Sequence, residues 1–187
     1  LDAGDRWLAD ETVVKVNGKP MYLWNIMDYE TRTYIASLLT SGREAKDAAK
    51  AIKEAIKNAG KPPKTLVTDG LQSYRKALQL LGLPTNHISN AGLAKDENNN
   101  RMERLNGIVK DWIKQKRGLK EKFKEFIEGY RLYYNFIRPH TALNEKTPAS
   151  TKEKLTKTLI ETTKTEKRAI TKKDINARKL ITTNVSG

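Results

Sequence analysis

Asp10, Asp69 and Glu103 are the carboxylates whose places in the chain could do chemistry. Asp10 falls inside a run of alternating apolar residues, Asp69 closes the short run Thr65-Leu66-Val67-Thr68, and Glu103 heads an amphipathic stretch. If the two runs are neighbouring strands of one sheet, and the amphipathic stretch is a helix returning across it, the three acids meet. Carboxylates so placed repel unless a cation sits between them, and a donor set made only of oxygen selects Mg²⁺ or Mn²⁺. Two such ions about 3.5–4 Å apart can activate an attacking oxygen and stabilise the leaving oxygen of a phosphodiester. The residues therefore point to phosphoryl transfer.

The elements that must position them can be read from periodicity. Met102, Leu105, Val109, Trp112 and Ile113 recur at steps of three and four, one apolar stripe along a helix. Glu103 lies just off that stripe, in line with Lys110, Lys114 and Arg117, and Gly107 leaves open space one turn on. The asparagines at 98–100 are N-cap candidates. Taken alone, this is an ordinary amphipathic helix with a solvated charged face. Upstream, Trp7 to Val16 reads as a strand with Leu8, Asp10, Thr12, Val14 and Val16 on one face and Trp7, Ala9, Glu11, Val13 and Lys15 on the other. Asn17-Gly18 predicts a tight hairpin into a second strand, Lys19 to Met27, and a third follows at Thr33 to Leu39. Ser41 with Glu44 predicts a capping box for a helix that stops at Gly60. Thr65 to Thr68 is a fourth strand, a helix through Tyr74, Leu78 and Leu81 ends at Gly82, and Thr85 to Ser89 is a weak fifth strand. A last helix spans Lys120 to Ile137 and ends at Arg138-Pro139. That order predicts an α/β protein with a mixed five-stranded sheet flanked by helices.

Composition bounds the partners. The 187 residues hold 36 Lys and Arg against 22 Asp and Glu, a net charge of +14 that attracts nucleic acid or an anionic surface. Ten basic and four acidic side chains lie in residues 151–187, so the body is basic as well as the tail. We expect a catalytic-size domain over residues 1–150 and a mobile Lys- and Thr-rich tail over 151–187. No cysteine is present, which excludes a thiolate zinc site, a disulfide framework and a cysteine nucleophile. No apolar run reaches the length of a membrane span, so a cytoplasmic, nucleoid-associated protein with no membrane partner is expected. The start at Leu1 rather than Met leads us to expect a preceding segment.

Four blocks of sequence carry a resemblance: Trp7-Leu8-Ala9-Asp10-Glu11-Thr12 with Tyr22-Leu23-Trp24 and Met27-Asp28 downstream, Val67-Thr68-Asp69-Gly70, the run from Asn99 to Gly107, and the run from Tyr134 to Leu143. In that order they resemble the DDE transposases and retroviral-type integrases, and more closely the small insertion-sequence transposases. The resemblance covers Asp5 to Ser150; the 33 residues between Asp69 and Glu103 are slightly fewer than is usual in such proteins. It implies an RNase H-like core in which Asp10, Asp69 and Glu103 are the catalytic, metal-binding triad for a two-ion Mg²⁺ or Mn²⁺ site. It also implies metal-dependent DNA cleavage and strand transfer in transposition or recombination, with transposon-end and target DNA as partners and a homo-oligomer assembled on DNA.

Other residues compete for notice. Glu11 adjoins Asp10 but is expected to project to the opposite face, and Asp96 and Glu97 fall in the loop before the Glu103 helix. His140 is expected to fold the segment after the last helix back on the core, His87 to be structural, and the tryptophans to pack, with Trp24 partly exposed. Lys95, Arg101, Arg104, Lys110, Lys114 and Arg117 are the candidate DNA-binding set, acting on phosphates with little base information. Two rival readings share the fold: an inactive or domesticated DNA-binding relative, against which the intact triad argues, and an RNase H-like nuclease, whose usual extra acid has no counterpart here.

Overall fold

The computed structural model describes residues 3–89, 100–116, 119 and 123–151. The chain divides into a unit of residues 1–149 and a second unit of residues 150–187. The expected tail therefore lies almost wholly outside the described residues, as do Lys95, Asp96, Glu97, Arg117 and the first residues expected of the last helix.

In chain order the elements are β1 (Arg6–Val16), β2 (Lys19–Asp28), β3 (Tyr34–Thr40), α1 (Ala45–Ala59), β4 (Thr65–Thr68), α2 (Gln72–Leu80), β5 (Asn86–Ser89), α3 (Asn100–Gln115) and α4 (Phe123–Phe136). The five strands form one sheet in the order β3-β2-β1-β4-β5. β1, β2 and β3 pair antiparallel, while β1–β4 and β4–β5 pair parallel, so the sheet is mixed as expected. Asn17 and Gly18 both take positive φ, 50° and 78°, the backbone that a tight two-residue hairpin needs to match strand twist.

Alternation along β1 sends its side chains into two cores. Trp7 and Ala9 join Trp24, Ile26 and Ile35 beneath α1 and α2, where Ile52, Tyr74 and Ala77 are fully buried. Leu8, Val14 and Val16 join Leu23, Met27 and Val67 beneath α3 and α4, where Met102, Leu105, Val109, Ile127 and Tyr130 close the layer. Trp24 is fully buried rather than partly exposed: its ring meets Tyr74 edge-on at 5.5 Å and its indole N–H donates to Thr40 Oγ1 at 2.7 Å. The capping box of α1 also differs from expectation. Glu44 is the N-cap and Asp47 its reciprocal partner; buried Asp47 accepts from the Glu44 N–H, and Lys50 pairs with it one turn on.

α4 is pinned to the edge strand by polar groups. Asn135, fully buried, accepts from the Tyr34 N–H and donates to the Tyr34 carbonyl, both at 2.8 Å, and Arg131 donates to the Tyr34 and Ile35 carbonyls. Replacing Asn135 by Ala would leave the Tyr34 N–H without its partner and the Tyr34 carbonyl with only the 3.4 Å bond from Arg131. We expect chemical denaturation of Asn135→Ala to show a loss on the order of 1–3 kcal/mol. A loss no larger than that of an exposed-site control such as Lys53→Ala would remove Asn135 from this role.

Candidate active site

β1 pairs with β4 only from Arg6 to Leu8, opposite Thr65 to Val67, and β4 stops at Thr68. Asp10, in the middle of β1, and Asp69, just past the end of β4, thus lie immediately beyond the paired segment of two neighbouring parallel strands. Asp69 is exposed and accepts from the Leu71 N–H at 3.2 Å, a turn that leads into α2. Asp10 is 9% exposed; its Oδ1 accepts from the Glu11 N–H at 3.0 Å and its Oδ2 from Asn106 Nδ2 at 2.7 Å.

One carboxylate oxygen each from Asp10, Glu11 and Asp69 lies within 4.8 Å of the other two. Glu11 does side with α1 and α2, where Oε1 accepts from Arg43 Nε at 2.8 Å, yet it is not remote from Asp10 as the alternation implied. The reason is local. Because β4 pairs with β1 only as far as Leu8, the β4-side edge of β1 is open at this level, although β2 still pairs along its other edge. The Glu11 side chain is 3% exposed, and its Oε2 is buried on the same side of β1 as the buried Tyr74 hydroxyl. Burial, and then the negative charge of Glu11, raises the Tyr74 phenol well above its usual range.

Glu103 lies in the first turn of α3, exposed, outside that group of oxygens. Its charge is nonetheless felt at Asp10. Burial first, then Asp69, Glu11 and more weakly Glu103, pushes the Asp10 carboxyl up to about 7, against the backbone hydrogen bond from Glu11. A carboxyl forced toward its neutral form by its neighbours is what a site built for positive charge looks like without that charge. All the donors are oxygen, which fits a hard divalent cation.

Two residues to which sequence reasoning gave no role complete this site. Asn106, 6% exposed, donates to Asp10 and accepts from Asn25 Nδ2 at 2.6 Å. Asn25, fully buried, in turn accepts from Ser37 Oγ at 2.7 Å and from the Tyr34 hydroxyl. The one available signal was polarity out of place: Asn106 follows Leu105 on the buried side of α3, and Asn25 sits between Trp24 and Ile26 in a strand.

A family model described as a DDE domain matches residues 4–140. The chain belongs to the DDE domain family. A search of curated proteins gave no match. Among solved structures, this chain is similar to a chain of the simian T-cell lymphotropic virus intasome, with TM-score 0.64, 18% identity and 81% of this chain covered. It spans 55% of that viral chain. It is similar also to the HTLV-2 integrase catalytic core domain in complex with magnesium, with TM-score 0.62 and 17% identity over 79% of this chain and 95% of that one. The BIV integrase catalytic core gives TM-score 0.61 and 14% identity over 82% and 97%. At these identities the likeness is one of fold, the RNase H-like architecture expected.

The basic residues of the DDE domain separate into two groups. Lys110 and Lys114 are exposed on the same helix face as Glu103, and among the described residues nothing beyond its own stretch of helix crowds the position a Cβ on Gly107 would take. Arg101 instead donates to the Tyr29 carbonyl and stacks on the Tyr29 ring at 4.1 Å, while Arg104 lines a cavity with Arg32 and Arg138. His140 packs edge-on against Tyr134 at 4.4 Å, with its Nε2 3.2 Å from the Tyr134 carbonyl, in the packing role expected of it. His87 Nε2 lies 3.0 Å from Thr68 Oγ1. Among the described residues, no helix is long and apolar enough to cross a membrane.

Proposed function

We propose that this domain cuts donor DNA with an activated water and joins the freed 3′ hydroxyl to target DNA by direct attack on a phosphodiester, without a covalent protein–DNA intermediate. The observation that carries this reading is the meeting of Asp10 and Asp69 on neighbouring parallel strands, inside a group of oxygens 4.8 Å across. Asp10 and Asp69, joined by Glu103 from α3, would hold Mg²⁺ or Mn²⁺. Two such ions, when bound, supply charge to the attacking and leaving oxygens. The chain's own residues do the rest: Asn106 holds the Asp10 carboxylate in place, and Arg43 pairs with Glu11. Lys110 and Lys114, with Lys95 and Arg117 outside the described residues and Arg101 and Arg104 beside them, form the phosphate-contacting set. The active form is an oligomer assembled on transposon-end DNA, located with the nucleoid in the cytoplasm.

The test is Mn²⁺-dependent joining of the element's own terminal DNA to a target duplex. Joined product from the wild type and none from Asp69→Asn is the expected result. Metal binding without joining would turn the reading into a DNA-binding module, and cleavage confined to an RNA:DNA hybrid would turn it into a nuclease. Salt dependence gives a second check. Each phosphate contact contributes a slope of about −0.9 in log affinity against log salt on duplex DNA. Changing Lys110 and Lys114 to alanine should therefore flatten the slope by roughly 2. An unchanged slope would put the DNA elsewhere.

A further inference from the structure

Between α3, the turn before β3 and the segment after α4 lies a cavity of about 120 Å³. Five basic side chains line it: Arg32 from the turn, Arg101 and Arg104 from α3, and Arg138 and His140 from the segment that follows α4. Met27, Leu105 and Ile108 supply its apolar wall, and no carboxylate is among its lining residues. Arg101 is committed to Tyr29. Among the described residues, no carboxylate pairs with Arg32, Arg104 or Arg138.

Positive charge gathered so closely marks the groups around it. Burial, then Arg101 and Arg104, lowers the Arg32 guanidinium from its ordinary range. Burial also lowers the His140 imidazole, opposed by its backbone hydrogen bond to Tyr134 and by the Glu145 carboxylate, and reinforced by Arg138 and Arg32. A guanidinium does not escape repulsion by losing its proton, so the remedy is an anion. Size narrows the choice. Pockets for drug-sized ligands begin at about 300 Å³, so this one excludes a whole nucleotide and suits a single small group. The guanidinium fork matches phosphate oxygens two at a time.

We propose that this cavity is a binding site for one phosphate group, held by Arg32, Arg104 and Arg138. The group is either a backbone phosphate of bound DNA, which rests on the function proposed above, or free inorganic phosphate. The site shares no residue with the acid cluster and gives Arg104 a phosphate apart from any that Lys110 and Lys114 contact.

Calorimetric titration of the metal-free full chain with inorganic phosphate, in chloride buffer at constant ionic strength, tests it. One saturable site is expected. Arg32→Gln and Arg138→Gln should each weaken it by at least about tenfold, the scale of one charged hydrogen bond. Arg138→Lys, which keeps the charge but not the fork, should recover only part, and Lys53→Ala on the exposed face of α1 should change nothing. Should a half-buried arginine variant fail to fold, Arg104→Gln on the exposed side gives the same reading. Duplex DNA then separates the sources. A DNA phosphate in the cavity makes saturating duplex displace inorganic phosphate, and Arg138→Gln flattens the salt slope by about 0.9. Free phosphate as the ligand binds undisturbed beside DNA. Absence of saturable phosphate binding in the wild type, or equal binding in Arg32→Gln and Arg138→Gln, would overturn the proposal. The titration needs neither metal nor catalysis, so Asp69→Asn should bind phosphate as the wild type does whatever its strand-transfer result.

Discussion

Asp10→Asn and Asp69→Asn should each abolish Mn²⁺-dependent strand transfer while leaving the protein folded, and Asp10→Asn should melt at a higher temperature than the wild type in metal-free buffer at pH 8. The catalytic loss follows from removing one negative charge from the group that would hold the cations. Losing one preorganised electrostatic element typically costs about 10²–10³ in rate, and a lost metal ligand should do no less. The stability gain follows from linkage. Asp10 ordinarily titrates near 3.8, but in the fold its burial and the charges of Asp69 and Glu11 raise it to about 7. The folded state therefore binds this proton more tightly than the unfolded state. Stability from that source is fully present below the unfolded value and is lost as pH rises through the folded one. The metal-free wild type should lose on the order of 2–4 kcal/mol between pH 4 and pH 8, since each pK unit is worth about 1.4 kcal/mol. Asn cannot ionise, so Asp10→Asn should lack this drop, and added Mn²⁺ should restore the wild type alone. Glu11→Gln should retain strand transfer, because that side chain pairs with Arg43 on the side of α1 and α2. Paired melting and strand-transfer assays across pH decide the matter. A melting difference that does not change with pH, or strand transfer surviving in Asp69→Asn, would refute the role given to these acids.

How far the sequence could carry this site depended on whether a residue's partners are local. Alternation in β1 put Asp10 on the face with Leu8 and Val14, Asn17-Gly18 set the hairpin, and the short run Thr65 to Thr68 marked a strand ending beside Asp69. Each of these rests on neighbours within a few positions. Parity along a strand says which face a side chain takes but not where the adjacent strand stops, which is why Glu11 came nearer to Asp10 than alternation suggested. Ser41 with Glu44 fits a capping pattern, yet Glu44 with Asp47 forms it, since buried Asp47 is held by packing that spacing alone does not reveal. The set of arginines around the cavity joins Arg32, Arg104 and Arg138 from three distant stretches, and no local pattern links them.

Asn106 is the sharpest case of a long-range partner, and it carries the other large expected effect. The hydrogen bonds run in one direction: Ser37 and Tyr34 donate to Asn25, Asn25 donates to Asn106, and Asn106 donates to Asp10 Oδ2. Donors aligned in this way polarise one another toward the carboxylate, and they fix its rotation about the bond that would aim it at a cation. Asn106→Ala would strand the Asn25 amide and one Asp10 oxygen in a buried place, at a cost of about 2–4 kcal/mol. Loss of a group that orients a metal ligand typically lowers metal affinity or activity by about 10–100-fold, and that range is expected here for both Mn²⁺ binding and strand transfer. Asn106→Asp should be worse in metal-free buffer, because it turns the donor into an acceptor and adds another negative charge beside Asp10. Mn²⁺ titrations and strand-transfer rates, measured on samples shown to be folded by their melting curves, separate orientation from mere packing. If Asn106→Ala were destabilised yet bound Mn²⁺ and joined DNA as the wild type does, Asn106 would be a core residue that happens to touch Asp10. If both fall together while the variant stays folded, the asparagine chain holds Asp10 in its working position.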